Sequence, residues 1–345
     1  MKKPTITIIY TGGTIGMAKN PETRALQPLD FNRLLEIVPE LKKINCTIKT
    51  ITTSQPKDSS DIHPDDWLEL IRIIKNEYDH CDGFVVLHGT DTLAFTASMI
   101  SFLIENNQKP IIFTGSQLPV GVLRTDAKEN LITSIEIAAT QIDGRPVVPE
   151  VAVYFEYKLY RGNRVKKISA EHFNAFHSPN YPVLAEAGVH LKINHPFILE
   201  PDREKPVKFY EKIHTGIATI KFFPGINEDV FEYFANKTIY EALVMETYGS
   251  GNAPFNPKID QSIKKINETG RIVLNITQCL TGYVDQNMYA TGLHLKSSGA
   301  IGGHDMTFEA AVCKLMFLLA NFDKATAKKL VSQNLRGEIS RPFIQ

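Results

Sequence analysis

The chain of 345 residues has 4 cysteines, a single tryptophan and no long apolar run. Each shortage excludes something. Cys46, Cys81, Cys279 and Cys313 lie far apart and form no C-x-x-C pair, so the expectation is reduced core thiols rather than a disulfide frame. No stretch approaches the roughly eighteen apolar residues of a membrane span. Lys2 and Lys3 precede an apolar stretch, as in a signal peptide. That stretch is short and rich in threonine, and Gly12, Gly13 and Thr14 make a poor cleavage site. A strand and a cytoplasmic protein are therefore expected. Lys+Arg and Asp+Glu both number 38, which leaves no broad electrostatic footprint for nucleic acid. The 10 histidines show no H-E-x-x-H or comparable spacing, so no metal is expected. Nor is there a G-x-G-x-x-G, a G-x-x-x-x-G-K-[ST] or a G-x-S-x-G. Nucleotide binding and a serine-histidine-acid hydrolase of the α/β type therefore lack their markers.

What is present is a recurring unit: a β-branched run, a loop of small residues, then a helical pattern. TITIIY (5–10) leads into TGGTIG, GFVVLH (83–88) into GTDT, and KPIIF (109–113) into TGSQLP. Leu93, Ala97, Ile100 and Ile104 follow at helical spacing, and Trp67, Leu70, Ile71 and Ile74 form the buried stripe of another helix. Strands alternating with helices predict an α/β fold with mainly parallel sheets, and a chain this long predicts two such domains. Residues 191–212, with three prolines and mixed charge, read as the connection. Residues 1–190 are then the N-terminal domain carrying the small-residue loops, and 213–345 the C-terminal one.

In parallel sheets ligands sit beyond the carboxyl ends of the strands, where these loops fall. The loops share hydroxyls: Thr11 and Thr14, Ser59 and Ser60, Thr90 beside Asp91, and Thr114 and Ser116. Any one of them is more often a cap than a catalyst. Four such loops at one sheet edge point to a site. A threonine hydroxyl needs a base to act as a nucleophile, and a lysine serves only if its surroundings favour the neutral amine. RGNRVKK clusters Arg161, Arg164, Lys166 and Lys167, and composition does not say which lysine points inward.

YTGGTIGM, the DSSD segment, VLHGTDTLAFTAS, TGSQLP, LYRGNRVKK, YGSGNAP and TQCLTG, in this order along essentially the whole chain, resemble the bacterial-type L-asparaginases, specifically their cytoplasmic branch. The resemblance implies a cofactor-independent amidohydrolase converting L-asparagine and water to L-aspartate and ammonia. Thr14 is then the nucleophile, and Thr90, Lys167 and Asp91 the proton relay, with Lys166 as the fallback for Lys167. Asp91 also receives the substrate's α-ammonium, and Asp58, Ser59 and Ser60 form the segment that takes its α-carboxylate. Backbone N–H groups of the two glycine loops stabilise the oxyanion. The resemblance further implies a homodimer or tetramer in which the neighbouring subunit contributes Asn252.

Two departures from the family pattern stand out. The family usually places a nucleophile-orienting tyrosine after the first loop, and MAKNPETRALQPLD contains none; Tyr289, from the partner chain, is the candidate substitute. Thr277 and Cys279 match an allosteric effector site of some members, but Glu246 stands where an arginine would grip the effector carboxylate, so that regulation is not expected. A mixed asparaginase-glutaminase is the nearest alternative, because one methylene is worth only about 1–3 kcal/mol of discrimination. A non-catalytic amino-acid sensor with the same pocket is the alternative from another class. A tRNA-dependent amidotransferase subunit would need an added N-terminal domain, which a first loop at residue 11 does not leave room for.

Overall fold

A computed structural model describes residues 3–19, 26–28 and 38–340. The chain divides into two compact units, Met1–Glu211 and Lys212–Gln345. The first is built on an eight-stranded sheet. Its strands are β1 (Thr5–Gly12), β2 (Thr47–Lys57), β3 (Gly83–Leu87), β4 (Ile111–Thr114), β5 (Val151–Phe155), β6 (Lys158–Arg161), β7 (Ala185–Ala187) and β8 (Leu191–Ile193), in the order β8-β7-β6-β5-β4-β3-β1-β2. Pairing from β2 through β1, β3 and β4 to β5 is parallel, and from β5 to β8 it is antiparallel. The inner parallel strands β3, β4 and β5 read as near-continuous apolar runs because helices cover both faces, whereas the edge strand β2 is largely polar.

Those helices are α1 (Pro64–Glu77), α2 (Leu93–Leu103) and α3 (Ala127–Ala139). The stripe Trp67, Leu70, Ile71 and Ile74 is the buried face of α1, as its spacing predicts. Helix α2 is buried at nearly every position, so periodicity shows weakly there. Its pattern also overruns: Ile104 leaves the helix and begins a short strand, 104–105, that pairs with Lys208 and Phe209.

The second unit is a fully parallel four-stranded sheet, β9 (Ile217–Lys221), β10 (Ala242–Thr247), β11 (Ile272–Thr277) and β12 (Ile301–Gly302). Its helices are α4 (Asp229–Asn236), α5 (Pro257–Glu268), α6 (Ala290–Ser297), α7 (Phe308–Asn321) and α8 (Lys324–Leu330). Each unit has its own apolar cluster, with Ile8, Val85, Ile112 and Leu131 in the first and Phe231, Leu243, Ile263 and Val273 in the second. The segment 191–212, expected as a connection, begins as the edge strand β8, and Lys208 and Phe209 pair back to the first unit.

Register positions the loops. Tyr10 lies opposite Leu87, and Leu87 opposite Thr114, so the chain leaves β1, β3 and β4 at one level. On the other side, Tyr10 pairs with Thr52 but Gly12 with Lys57. The bulge in β2 carries Asp58, Ser59 and Ser60 to the same edge.

Candidate active site

The first loop is set by two glycines. Gly12 and Gly13 have φ of 123° and 82°, in the left-handed region that glycine adopts without strain. A Cβ on Gly12 would lie 1.9 Å from the Lys57 carbonyl oxygen, and one on Gly13 would lie 2.3 Å from the Gly89 nitrogen. Bare backbone is what lets the loops after β1, β2 and β3 touch. Thr14 then opens a single 3-10 turn over residues 14–16 and is partly exposed. Its hydroxyl has no hydrogen-bond partner among the described residues. The Tyr10 ring lies beneath this turn and donates its hydroxyl proton to the Gly16 carbonyl at 3.3 Å. Burial pushes its pKa up to about 12, so it remains a phenol.

The second loop carries a three-residue relay. The Lys167 ammonium donates to Thr90 Oγ1 at 2.8 Å and to Asp91 Oδ1 at 2.6 Å. Thr90 in turn donates to Gln117 Oε1 at 3.3 Å. Lys167 sits in a two-residue strand paired with Phe176, and neighbouring Lys166 pairs with His177. Alternation along a strand sends the two lysines to opposite faces, and the face of Lys167 is the one that meets Thr90 and Asp91. The Asp91 side chain is 61% exposed, so one end of the relay opens to solvent.

The turn after β2 closes against the same loop. Ser59 is buried, its hydroxyl oxygen accepts the Asp91 N–H at 3.1 Å, and its carbonyl accepts Thr92 Oγ1 at 2.6 Å. Asp58 Oδ1 accepts both the N–H and the hydroxyl of Ser60, at 2.9 and 2.8 Å. Those two donors hold the Asp58 carboxyl below the usual aspartate range, and so ionised at neutral pH.

Residues that the sequence did not single out hold the third loop. Gln117 accepts from Thr90 and donates Nε2–H to the His172 carbonyl at 3.1 Å, which fixes its orientation. Asp126 accepts the backbone N–H groups of Gln117 and Leu118, and burial raises its pKa despite them. Asn130, fully buried, donates to the Gly115 carbonyl at 3.0 Å. No local motif marks these three, since their partners are set by the β4–α3 packing. The remaining loop hydroxyls are engaged: Thr11 with the Leu87 carbonyl, Thr114 with that of Tyr154, and Ser116 with that of Leu118.

Two expectations need correction. Arg161 and Arg164 of the basic run are not solvated surface cations. Both are buried, Arg161 paired with Glu150 at 2.6 Å, and both guanidinium groups stack on the Tyr181 ring. Nor are all four cysteines core thiols. They are free, but Cys279 is exposed and Cys46 only partly buried.

In the second unit, the Asn252 side chain accepts from Thr291 Oγ1 at 3.0 Å, which orients the YGSGNAP turn. Tyr289 precedes α6, and its side chain is largely exposed. Glu246, Thr277 and Cys279 gather at the carboxyl ends of β10 and β11, where Thr277 Oγ1 accepts the Cys279 N–H at 3.0 Å. Of MAKNPETRALQPLD, Met17–Lys19 and Leu26–Pro28 pair as a short hairpin. The rest of that segment, where the family tyrosine is lacking, lies outside the described residues.

Comparison with known proteins now bears on this site. Residues 5–199 match the family model described as Asparaginase, N-terminal, and residues 216–330 the Glutaminase/Asparaginase C-terminal domain. The chain is 41% identical to L-asparaginase 1 of Escherichia coli strain K12 over 99% of both chains. It is 34% identical to the 60 kDa lysophospholipase of Homo sapiens, spanning 98% of this chain and 62% of that protein. The crystal structure of L-asparaginase I from Vibrio cholerae superposes with a TM-score of 0.88 at 38% identity, covering 99% of this chain and 100% of that one. Threonine-bearing glycine loops, a lysine–threonine–aspartate relay and matches across both halves of the chain make one conclusion: this protein belongs to the asparaginase family.

Proposed function

We propose that the chain hydrolyses the side-chain amide of L-asparagine to L-aspartate and ammonia, with Thr14 as nucleophile. One observation carries the assignment. Of the hydroxyls on the converging loops, that of Thr14 is the one left without a partner among the described residues, and it stands beside bare backbone. In the first half-reaction Thr14 Oγ bonds to the amide carbon, the C–N bond breaks, and ammonia leaves with the hydroxyl proton. In the second, water attacks the resulting ester, the C–O bond to Thr14 breaks, and the threonine regains a proton.

Lys167 stands within hydrogen-bond reach of Thr90 and Asp91, so protons passing between nucleophile, leaving group and water have an amine and a hydroxyl to travel through. The N–H groups of Thr14 and Thr90 serve as oxyanion donors. Asp91 receives the α-ammonium, while Ser59 and Ser60, with Asp58 bracing their turn, receive the α-carboxylate. The protein acts in the cytoplasm as a homodimer or tetramer whose neighbouring subunit supplies Asn252 and Tyr289.

The test is ammonia release from L-asparagine and, separately, L-glutamine. Asparagine turnover that falls at least about 1000-fold in Thr14→Ala supports the reading. Turnover surviving in Thr14→Ala, or a silent wild type whose melting temperature rises with asparagine, overturns it, the latter in favour of a sensor. Glu246 at the edge of the second unit predicts a hyperbolic rate profile, and a sigmoidal one overturns that.

A further inference from the structure

His88 of HGTDT is buried beneath the loops, and its ring lies between two partners. Nδ1 is 2.7 Å from the carbonyl oxygen of Gly89, and Nε2 is 2.9 Å from Thr96 Oγ1 on α2. A carbonyl oxygen only accepts, so Nδ1 carries the proton. Nε2 therefore accepts from the Thr96 hydroxyl. That hydroxyl is free to donate because its own oxygen accepts Trp67 Nε1–H at 2.9 Å from α1. A chain of three hydrogen bonds thus runs from two helices through His88 to one peptide group. Burial lowers the His88 pKa to about 4, against the raising effects of the Gly89 carbonyl and Asp66, so the ring stays neutral under working conditions.

The peptide group is the significant one. In a trans peptide the C=O of Gly89 and the N–H of Thr90 point in opposite directions. With the carbonyl held toward the core by His88, the Thr90 N–H faces away from it, and it has no partner among the described residues. We propose that His88 is a positioning residue: its Nδ1–H locks the Gly89–Thr90 peptide so that the Thr90 N–H meets the oxyanion, and Thr96 and Trp67 select the tautomer that does so. This rests on the amidohydrolase reading above and adds to it a part for residues behind the reacting groups. It also gives the single tryptophan, whose stripe position marks it as core, a polar task.

Two near-isosteric variants separate the nitrogens. Asn places its amide nitrogen near Nδ1, and Gln places its own near Nε2. His88→Gln is expected to lower kcat about 10- to 100-fold with KM changed less than about 3-fold, since misaimed oxyanion donors act in the transition state. His88→Asn is expected to recover most of kcat. Thr96→Val, which leaves His88 Nε2 without its donor and Trp67 Nε1–H without its acceptor, is expected to lower kcat with KM little changed, alongside a lower melting temperature. It carries the test if His88→Gln fails to fold. In ¹⁵N-histidine spectra of the intact protein, His88 is expected to be protonated at Nδ1 alone. Nε2 protonation, a full-rate Thr96→Val, or equal losses in the Asn and Gln variants overturns the proposal. A wild type silent on asparagine overturns the amidohydrolase reading instead.

Discussion

At the scale of single residues, His88 has a consequence for stability as well as for the site. Its pKa of about 4 lies below the ordinary value of about 6.5, so the unfolded chain takes up the proton first as pH falls. The stability tied to the neutral ring is complete above about pH 6.5 and is lost as pH falls through 4. A shift of that size is worth about 3 kcal/mol. Denaturant midpoints measured from pH 7 to pH 4 should therefore fall less steeply in His88→Asn than in wild type. Identical slopes would show that the ring does not carry the effect. Thr14, Thr90 and Asp91 stood out in the sequence because they lie in short glycine-bearing loops, and the resemblance to a family gave them candidate roles. His88 did not, since a histidine next to a glycine says nothing of a threonine eight residues on or a tryptophan on another helix.

At the scale of elements, a buried ion pair in the second unit joins α7 to the segment that follows α8. Lys314 and Glu338 pair at 2.6 Å with both side chains fully buried. Glu338 also accepts the N–H groups of Leu335 and Arg336, and Lys314 donates to the Gln333 carbonyl. Burial lowers the lysine's pKa even though Glu338 opposes it. Removing one partner leaves a buried charge, so Lys314→Met is expected to cost about 3–5 kcal/mol in chemical denaturation. Combining it with Glu338→Gln removes the orphaned charge and keeps an oxygen for the two N–H groups, so the double variant should lose less. A double variant as unstable as Lys314→Met, or worse, would rule out this account. The helix itself was evident from its apolar run, whereas the pair joins residues 24 positions apart, which no local periodicity reports.

At the scale of the whole molecule, the proposal that the neighbouring subunit completes the site with Asn252 makes a prediction that neither variant shows alone. On that proposal Thr14→Ala and Asn252→Ala are each expected to disable every site in a pure oligomer. In a mixed dimer, one site combines the intact Thr14 of one chain with the intact Asn252 of the other. Unfolding and refolding the two inactive proteins together should restore about a quarter of the wild-type rate. No recovery, with mixed dimers confirmed by mass, would place all catalytic groups on one chain. The division into two units was legible from the repeat of strand, loop and helix. Their boundary was less so, because proline and charge mark β8 and the paired residues 208 and 209 as readily as they mark a linker.

Local chemistry is what the residues told by themselves: which loops are bare, which carry hydroxyls, and that strands run mainly parallel, while the grouping of Thr90, Asp91 and Lys167 came from the resemblance of the motifs to a family. The loops and the strand direction follow from residue type and spacing, which act over a few positions. The fold supplied the rest: Lys167, which the resemblance puts ahead of Lys166, reaches Thr90 across 77 residues, the arginines of the same basic run are buried, and Trp67 is linked through Thr96 and His88 to the Gly89 carbonyl. Strand register and helix packing set those distances, and both are sums over the whole core rather than properties of any short stretch.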